Sequence, residues 1–226
     1  TVWKNAVGKG LEGLKYRIQV SPLDCTGCGV CINTCPAKTK ALEYRPIEEA
    51  IANNEHVKAD YNYNKVTSKV NLVGKTNLKN TQFAKPLFEF SGACAGCGET
   101  PYIKMVTQLF GERMVIANAT GCSSIYGASF PASPYTKDVN GRGPAWANSL
   151  FEDNAEFGFG MQIATETLRD KLQNKIVETK DSFKNVEIKT LMDSWLENRQ
   201  NGNKTLEIAN ALIPLLEKEN NQAAEQ

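Results

Sequence analysis

Seven cysteines constrain this chain more than any other feature, because six of them fall in two tight clusters. Four lie in Cys25-Thr-Gly-Cys28-Gly-Val-Cys31-Ile-Asn-Thr-Cys35-Pro36, two in Cys94-Ala-Gly-Cys97, and the seventh is Cys122. An odd number of clustered thiols does not suit a disulfide framework, which belongs to smaller secreted domains. It favours metal ligation in a reducing, intracellular compartment. Whatever the fold, it has to bring cysteine-bearing loops around a metal centre.

The first cluster has the spacing C-x2-C-x2-C-x3-C-P, that of bacterial-type [4Fe–4S] ferredoxins. Three thiolates two residues apart let one turning backbone wrap three irons of a cubane. The fourth Cys, followed by Pro, faces away and serves a neighbouring cluster. A zinc knuckle is the plainer alternative, but zinc sites favour two separated pairs of ligands. Cys25, Cys28 and Cys31 still need a fourth ligand, and Cys35 needs three partners. Those partners point to a first copy of the motif upstream of Thr1. The opening Thr1-Val-Trp3, without an initiator Met, likewise leads us to expect a piece of a longer polypeptide.

The second centre runs from Ser91 to Tyr126. Gly92, Gly96 and Gly98 surround Cys94 and Cys97, so the backbone can approach a bulky ligand and aim N–H groups at it. Cys122 returns in a second Gly-containing turn. Three thiolates from two loops suggest a metal or iron–sulfur centre with one ligand missing. Lys85–Phe90 reads as a short strand entering the Cys94 loop. Thr100-Pro101 predicts a helix start, and Ile103, Val106, Leu109 and Phe110 form its apolar face up to Gly111. Met114–Ala117 reads as a buried strand. Strand, Cys loop, helix, strand, Cys loop is a βαβ order, which places Cys94, Cys97 and Cys122 at one strand-end rim.

The remaining chain supplies support. Tyr16–Val20 alternates and predicts a strand. Residues 52–85 are rich in Asn, Lys and Thr without strong periodicity and read as a linker. His56, the single histidine, reads as an exposed structural residue. Residues 130–150 are rich in Pro, Gly and Ser and read as an irregular functional loop. Asn154 can cap a helix carrying Phe157, Met161, Ala164, Leu168 and Leu172; Gly158 and Gly160 in its first turns admit either a cofactor or a neighbouring helix. Two further amphipathic helices follow, one with Val186, Leu191, Trp195 and Leu196, the other with Leu206, Ile208, Leu212, Leu215 and Leu216, kinked at Pro214. They predict a helical hairpin.

The charges nearly cancel, 26 Lys and Arg against 25 Asp and Glu, with no basic stripe. Nucleic acid is therefore not an expected partner. No apolar run approaches the roughly 20 residues that span a bilayer, and no signal peptide opens the sequence.

Together the ferredoxin motif, Phe88–Tyr102 around Cys94 and Cys97, Ala117–Tyr126 around Cys122, and Asn148–Gly160 resemble pyruvate:ferredoxin (flavodoxin) oxidoreductase, in motif order and spacing. The resemblance implies half of a bacterial 2[4Fe–4S] ferredoxin-like α+β domain (1–51), a linker (52–85), and the first part of an α/β thiamine-diphosphate-binding-type domain with a helical hairpin (86–226). It implies oxidative decarboxylation of pyruvate with coenzyme A to acetyl-CoA and CO2, electrons leaving through [4Fe–4S] clusters to ferredoxin or flavodoxin. Carried over by position, Cys94, Cys97 and Cys122 are three ligands of a proximal cluster, and Glu99 and Cys122 neighbour the thiamine cofactor. Cys25, Cys28, Cys31 and Cys35 belong to the outer relay. Glu99 can also be read simply as an acid favourable to a helix dipole.

The resemblance further implies a homodimeric parent in the cytoplasm or an organelle of an anaerobic eukaryote. No Gly-Asp-Gly followed by the Asn that holds Mg2+ and diphosphate occurs, so those groups are expected to be bound mainly outside this segment. The segment alone is expected to be inactive. Two other classes compete: an electron-transfer iron–sulfur protein without an organic substrate, and a zinc-stabilised interaction domain.

Overall fold

The computed structural model describes residues 3–219 and Ala224. The other residues of the polar, helix-like end of the chain lie outside the described residues. The chain divides into two compact units, Thr1–Asn154 and Ala155–Gln226. It is a mixed α/β structure with small sheets and many helices. Among the described residues, no helix is long and apolar enough to cross a membrane.

In the first unit, β1 (Lys4–Asn5) pairs antiparallel with β2 (Lys15–Tyr16). The strand expected over Tyr16–Val20 ends almost where it begins. Arg17 and Gln19 donate to the Glu55 carboxylate at 3.5 and 3.3 Å, so polar side chains hold this segment instead of a neighbouring strand. The ferredoxin-type loop follows, and α1 (Val30–Asn33) starts on Gly29, whose φ of 78° is left-handed. Only Gly fits there: a Cβ would stand 2.0 Å from the Tyr44 hydroxyl, which itself donates to the Gly27 carbonyl at 3.2 Å.

After α2 (Ile47–Ala52), residues 52–85 are not devoid of elements: they carry α3 (Glu55–Lys65), α4 (Val70–Val73) and α5 (Leu78–Thr81). The periodicity was invisible because α3 buries only Ala59 and so needs no apolar stripe.

Helix α6 (Thr100–Phe110) forms as expected, one residue displaced: Glu99 takes the cap position and Pro101 the first turn. Its packing differs from the expectation. Thr107 and Gln108 are buried, while Val106 and Phe110 are exposed. The Ala84 carbonyl accepts from the Gln108 side chain at 3.2 Å, and a buried carbonyl without a donor is costly. Gly111 then lets Leu87 close in, since a Cβ would meet the Leu87 Cδ1 at 2.9 Å.

β3 (Val115–Ala119) overlaps the strand expected over Met114–Ala117 but is not buried, Val115 being exposed, and its parallel partner is β4 (Ala145–Ser149), inside the stretch read as irregular. Lys85–Phe90 is no strand; it makes a single antiparallel bridge, Phe88 to Tyr135. The sheet signal of β4 is diluted by Asn148 and by flanking turn residues, and β strands are read from their neighbours' packing as much as from propensity. Between β3 and β4 lie α7 (Cys122–Ser124), a π turn over Ile125–Ser129, and a loop in which the Asp138 carboxylate accepts from the Asn140 and Arg142 N–H groups at 2.8 and 2.9 Å.

The second unit contains most of α8 (Asn154–Thr179), then α9 (Val186–Glu197) and α10 (Gly202–Leu216), the latter two forming the expected hairpin. Asn185 and Asn201 cap them by accepting from Glu187 and Lys204 N–H groups. Ile176, Phe183, Ile188, Met192, Trp195 and Leu212 make its core. The Arg199 guanidinium joins α8 through Gln173, Glu166 and Asp170.

Candidate metal and cofactor site

All seven cysteines are free thiols; Cys25, Cys28, Cys31, Cys94 and Cys122 are exposed, and Cys35 and Cys97 half-buried. Among the described residues, no three or more His, Cys, Asp or Glu side chains converge as a metal site would require. What the fold does bring together are the loops. Gly96, between Cys94 and Cys97, faces the ferredoxin-type loop: a Cβ built there would lie 3.5 Å from Val30 Cγ2 and 3.6 Å from Cys28 Cβ. Gly96 has φ +73°, and the Cys97 N–H closes the turn by donating to the Cys94 carbonyl at 3.0 Å.

The donor set suits an iron–sulfur cluster. Thiols unconsumed by disulfides can ligate as thiolates, and glycines leave room beside them. A Cβ on Gly27, Gly98 or Gly121 would meet nothing within 4 Å. The Ala41 N–H points at Cys35 Sγ, 3.5 Å away. This bond, then one from Ala37, holds the Cys35 thiol below its ordinary pKa. An N–H directed at sulfur stabilises the thiolate a metal needs and tunes a cluster's potential.

Cys122 begins α7 immediately past β3. The Gly121 N–H donates to Ser124 Oγ at 2.8 Å, and that hydroxyl donates back to the Gly121 carbonyl at 2.6 Å, fixing the turn. The π turn then widens the helix, and the Phe130 N–H reaches the Ile125 carbonyl at 3.2 Å. Such turns are frequent at functional sites. Here it carries Tyr126 into the interior, edge-on to Phe88 at 5.9 Å. Phe88 also meets Tyr135 edge-on, and Tyr135 meets Trp146.

Glu99 is exposed at the start of α6, yet its carboxylate acts on both phenols. Burial first, then Glu99, then Cys97 among weaker neighbours, push the Tyr126 phenol far above its ordinary value. Burial and Glu99 push Tyr135 up as well. The Tyr126 hydroxyl is enclosed and has no hydrogen-bond partner. Phe88, Tyr126, Tyr135 and Trp146 thus form an aromatic cluster behind the Cys122 turn that sequence reading missed. Its sequence signal was partial: Tyr135 and Trp146 lie inside the Pro-rich stretch, whereas Phe88 and Tyr126 do not.

A polar network sits at the carboxyl ends of β3 and β4, where ligands of parallel α/β sheets bind. Asn118 donates to Asn148 at 2.9 Å, Asn148 to Thr120 at 3.1 Å, and Thr120 to the Ser149 carbonyl at 2.9 Å. Asn154 donates to Ser149 Oγ at 3.1 Å, binding the start of α8 to this strand end rather than capping the helix. His56 is half-buried, its Nδ1 without a partner, beside a cavity of about 1000 Å³ that contains no cysteine in its lining.

No family profile matches the chain. Individual relatives do. Over 99% of its length the chain is 51% identical to the pyruvate:ferredoxin oxidoreductase of Moorella thermoacetica, and covers 19% of that protein. It is 51% identical over 88% of its length to the pyruvate-flavodoxin oxidoreductase of Enterobacter agglomerans, covering 17% of it. It is 47% identical over 89% of its length to the mitochondrial pyruvate dehydrogenase [NADP(+)] of Euglena gracilis, covering 11%. The chain spans at most about a fifth of the length of the curated relatives it matches. Both cysteine loops lie inside the matched region.

Proposed function

We propose that this chain, a homologue of one segment of the pyruvate:ferredoxin and pyruvate-flavodoxin oxidoreductases, is the junction where such an enzyme hands electrons from carbon chemistry to iron. The supporting observation is the 51% identity across 99% of the chain, which takes in both cysteine clusters and Glu99 together. In this reading residues 1–51 are the latter half of a ferredoxin-like domain, 52–85 a linker, and 86–226 the first part of a thiamine-diphosphate-binding domain.

Cys94, Cys97 and Cys122 supply three ligands of a proximal [4Fe–4S] cluster. Cys25, Cys28 and Cys31 hold a second cluster, and Cys35 contributes to a third. Gly96 backs directly onto Cys28, which keeps the two cysteine loops close; short separation is what a relay requires. Glu99 and Cys122 face thiamine diphosphate, and Mg2+ and the diphosphate are held mainly by residues outside this segment. Thiamine diphosphate supplies the electron sink for decarboxylation of a 2-oxoacid. The residues of this chain orient it, carry thiolates, and exclude water with the Phe88, Tyr126 and Tyr135 floor.

The complete protein converts pyruvate and coenzyme A to acetyl-CoA and CO2, releasing two electrons to ferredoxin or flavodoxin. It acts as a homodimer in the cytoplasm or an organelle, and neither nucleic acid nor a membrane is a partner. The segment alone is inactive. The test is iron and acid-labile sulfide analysis with electron paramagnetic resonance on the full-length protein, followed by pyruvate-dependent dye reduction with and without coenzyme A. Cluster signals and coenzyme-A-dependent reduction are expected. Stoichiometric zinc in place of iron, or no pyruvate-dependent reduction, would falsify the reading.

A further inference from the structure

Thr120, two residues before Cys122, is pinned to the end of β4. Its N–H and its hydroxyl both donate to the Ser149 carbonyl, at 3.1 and 2.9 Å. The hydroxyl also accepts from the Asn148 side chain at 3.1 Å. The Asn148 amide is itself oriented, because its oxygen accepts from Asn118 at 2.9 Å, which turns its NH2 toward Thr120 and the Ser149 carbonyl. The Thr120 hydroxyl therefore has its single hydrogen and one lone pair committed. Downstream, Gly121 is held from the other side: its N–H donates to Ser124 Oγ at 2.8 Å, and Ser124 is 7% exposed. Cys122 thus follows a glycine, the most permissive backbone hinge, clamped at both ends. Thr120 and Asn148 are exposed, so water could replace these bonds and their net contribution to stability is small. What they fix is direction.

We propose that Thr120, oriented by Asn148, is a positioning residue for Cys122, holding the turn at the end of β3 so that the thiolate is presented for ligation. Without the upstream clamp the Thr120–Gly121 peptide can swing and carry Cys122 with it. Thr120 acts on a bound cluster only through that cysteine. Partners that orient a metal ligand are worth about ten- to a hundredfold in metal affinity. The inference rests on the reading of Cys122 as a cluster ligand and deepens it.

The test uses the full-length protein with Thr120→Val, Thr120→Ser, Asn148→Ala and Cys122→Ala. Iron and acid-labile sulfide are counted per chain, and iron release to a ferrous chelator is timed under anaerobic conditions. Electron paramagnetic resonance of the reduced protein shows which cluster is lost. Cys122→Ala identifies the centre by losing one cluster's worth of iron. Thr120→Val keeps the side-chain shape and removes the hydroxyl. It is expected to release iron from that same centre about tenfold faster than the parent, with the other clusters and the melting temperature unchanged. Asn148→Ala should do the same, and Thr120→Ser should behave as the parent. A parental release rate in Thr120→Val, an equal acceleration in Thr120→Ser, or a loss spread over all clusters with a lowered melting temperature overturns the positioning role and leaves Cys122 a ligand. A full complement of iron in Cys122→Ala overturns the ligand reading, and the proposal with it.

Discussion

The backbone of Gly96 lies against Cys28, so that a Cβ added to Gly96 would stand 3.6 Å from the Cys28 Cβ and 4.0 Å from its Sγ. Two cysteine loops whose facing ends, Cys35 and Cys94, lie 59 positions apart in sequence are neighbours. Neither distance is a clash, so what excludes a side chain at Gly96 is its φ of +73°.

Gly96→Ala should therefore destabilise the chain by about 1–2 kcal/mol, the left-handed cost for an L-residue. Gly98→Ala is the control, because its Cβ would meet nothing within 4 Å. Urea denaturation of both variants decides it. Equal losses would show that loop flexibility, not the backbone angle at Gly96, sets the cost.

At Gly92 the exclusion is steric. A Cβ there would lie 2.2 and 2.4 Å from the Phe130 ring. Gly92→Ala is expected to cost about 1–3 kcal/mol through overpacking. Adding Phe130→Ala should recover most of that loss relative to Phe130→Ala alone, and a purely additive double variant would contradict the contact.

The Ala155–Gln226 unit has its own core, with Ile188 fully buried and Val186 74% exposed. Ile188→Ala should lose about 2–5 kcal/mol, as large-to-small core changes do. Val186→Ala should change stability by no more than about 0.5 kcal/mol. Thermal melts of the two variants, two positions apart on one helix, test the orientation of α9.

Glu89 gives a pH-dependent expectation. Burial holds its carboxyl above the usual range, with Lys85 and Lys104 partly offsetting the effect. A carboxyl whose folded pKa exceeds its unfolded value, about 4.3, favours the fold while protonated. That contribution is complete below the unfolded pKa and is lost as pH rises through the folded value. Glu89→Gln should thus be more stable than the parent near neutral pH, and the advantage should vanish in acid. A constant difference across the range would rule out the ionisation as its source.

Local features were readable from the sequence where the cause is local. The cysteine spacings, the start of α6 at Thr100-Pro101, its stop at Gly111, β3, and the α9–α10 hairpin follow from turn chemistry, capping and apolar period. The resemblance carried by the cysteine motifs holds over nearly the whole chain, at 51% identity. Helices over residues 52–85 escaped because α3 packs with one alanine and polar side chains. The partner of β3 was misplaced for a related reason: strand pairing is a contact between distant segments, and Lys85–Phe90 has the better propensity while Ala145–Ser149 has the neighbour.

For function, the sequence alone determined which groups are available: seven thiols, the glycines beside them, and Glu99 directly before the Thr100-Pro101 helix start. Only the tertiary structure decided which of them meet. Gly96 reaches Cys28, and Tyr126 packs edge-on against Phe88. Burial of the Tyr126 hydroxyl depends on Phe88, thirty-eight residues earlier in the chain, and no pattern of nearby residues encodes a contact across that separation. Chemistry is written residue by residue, whereas proximity and desolvation are properties of the packed chain.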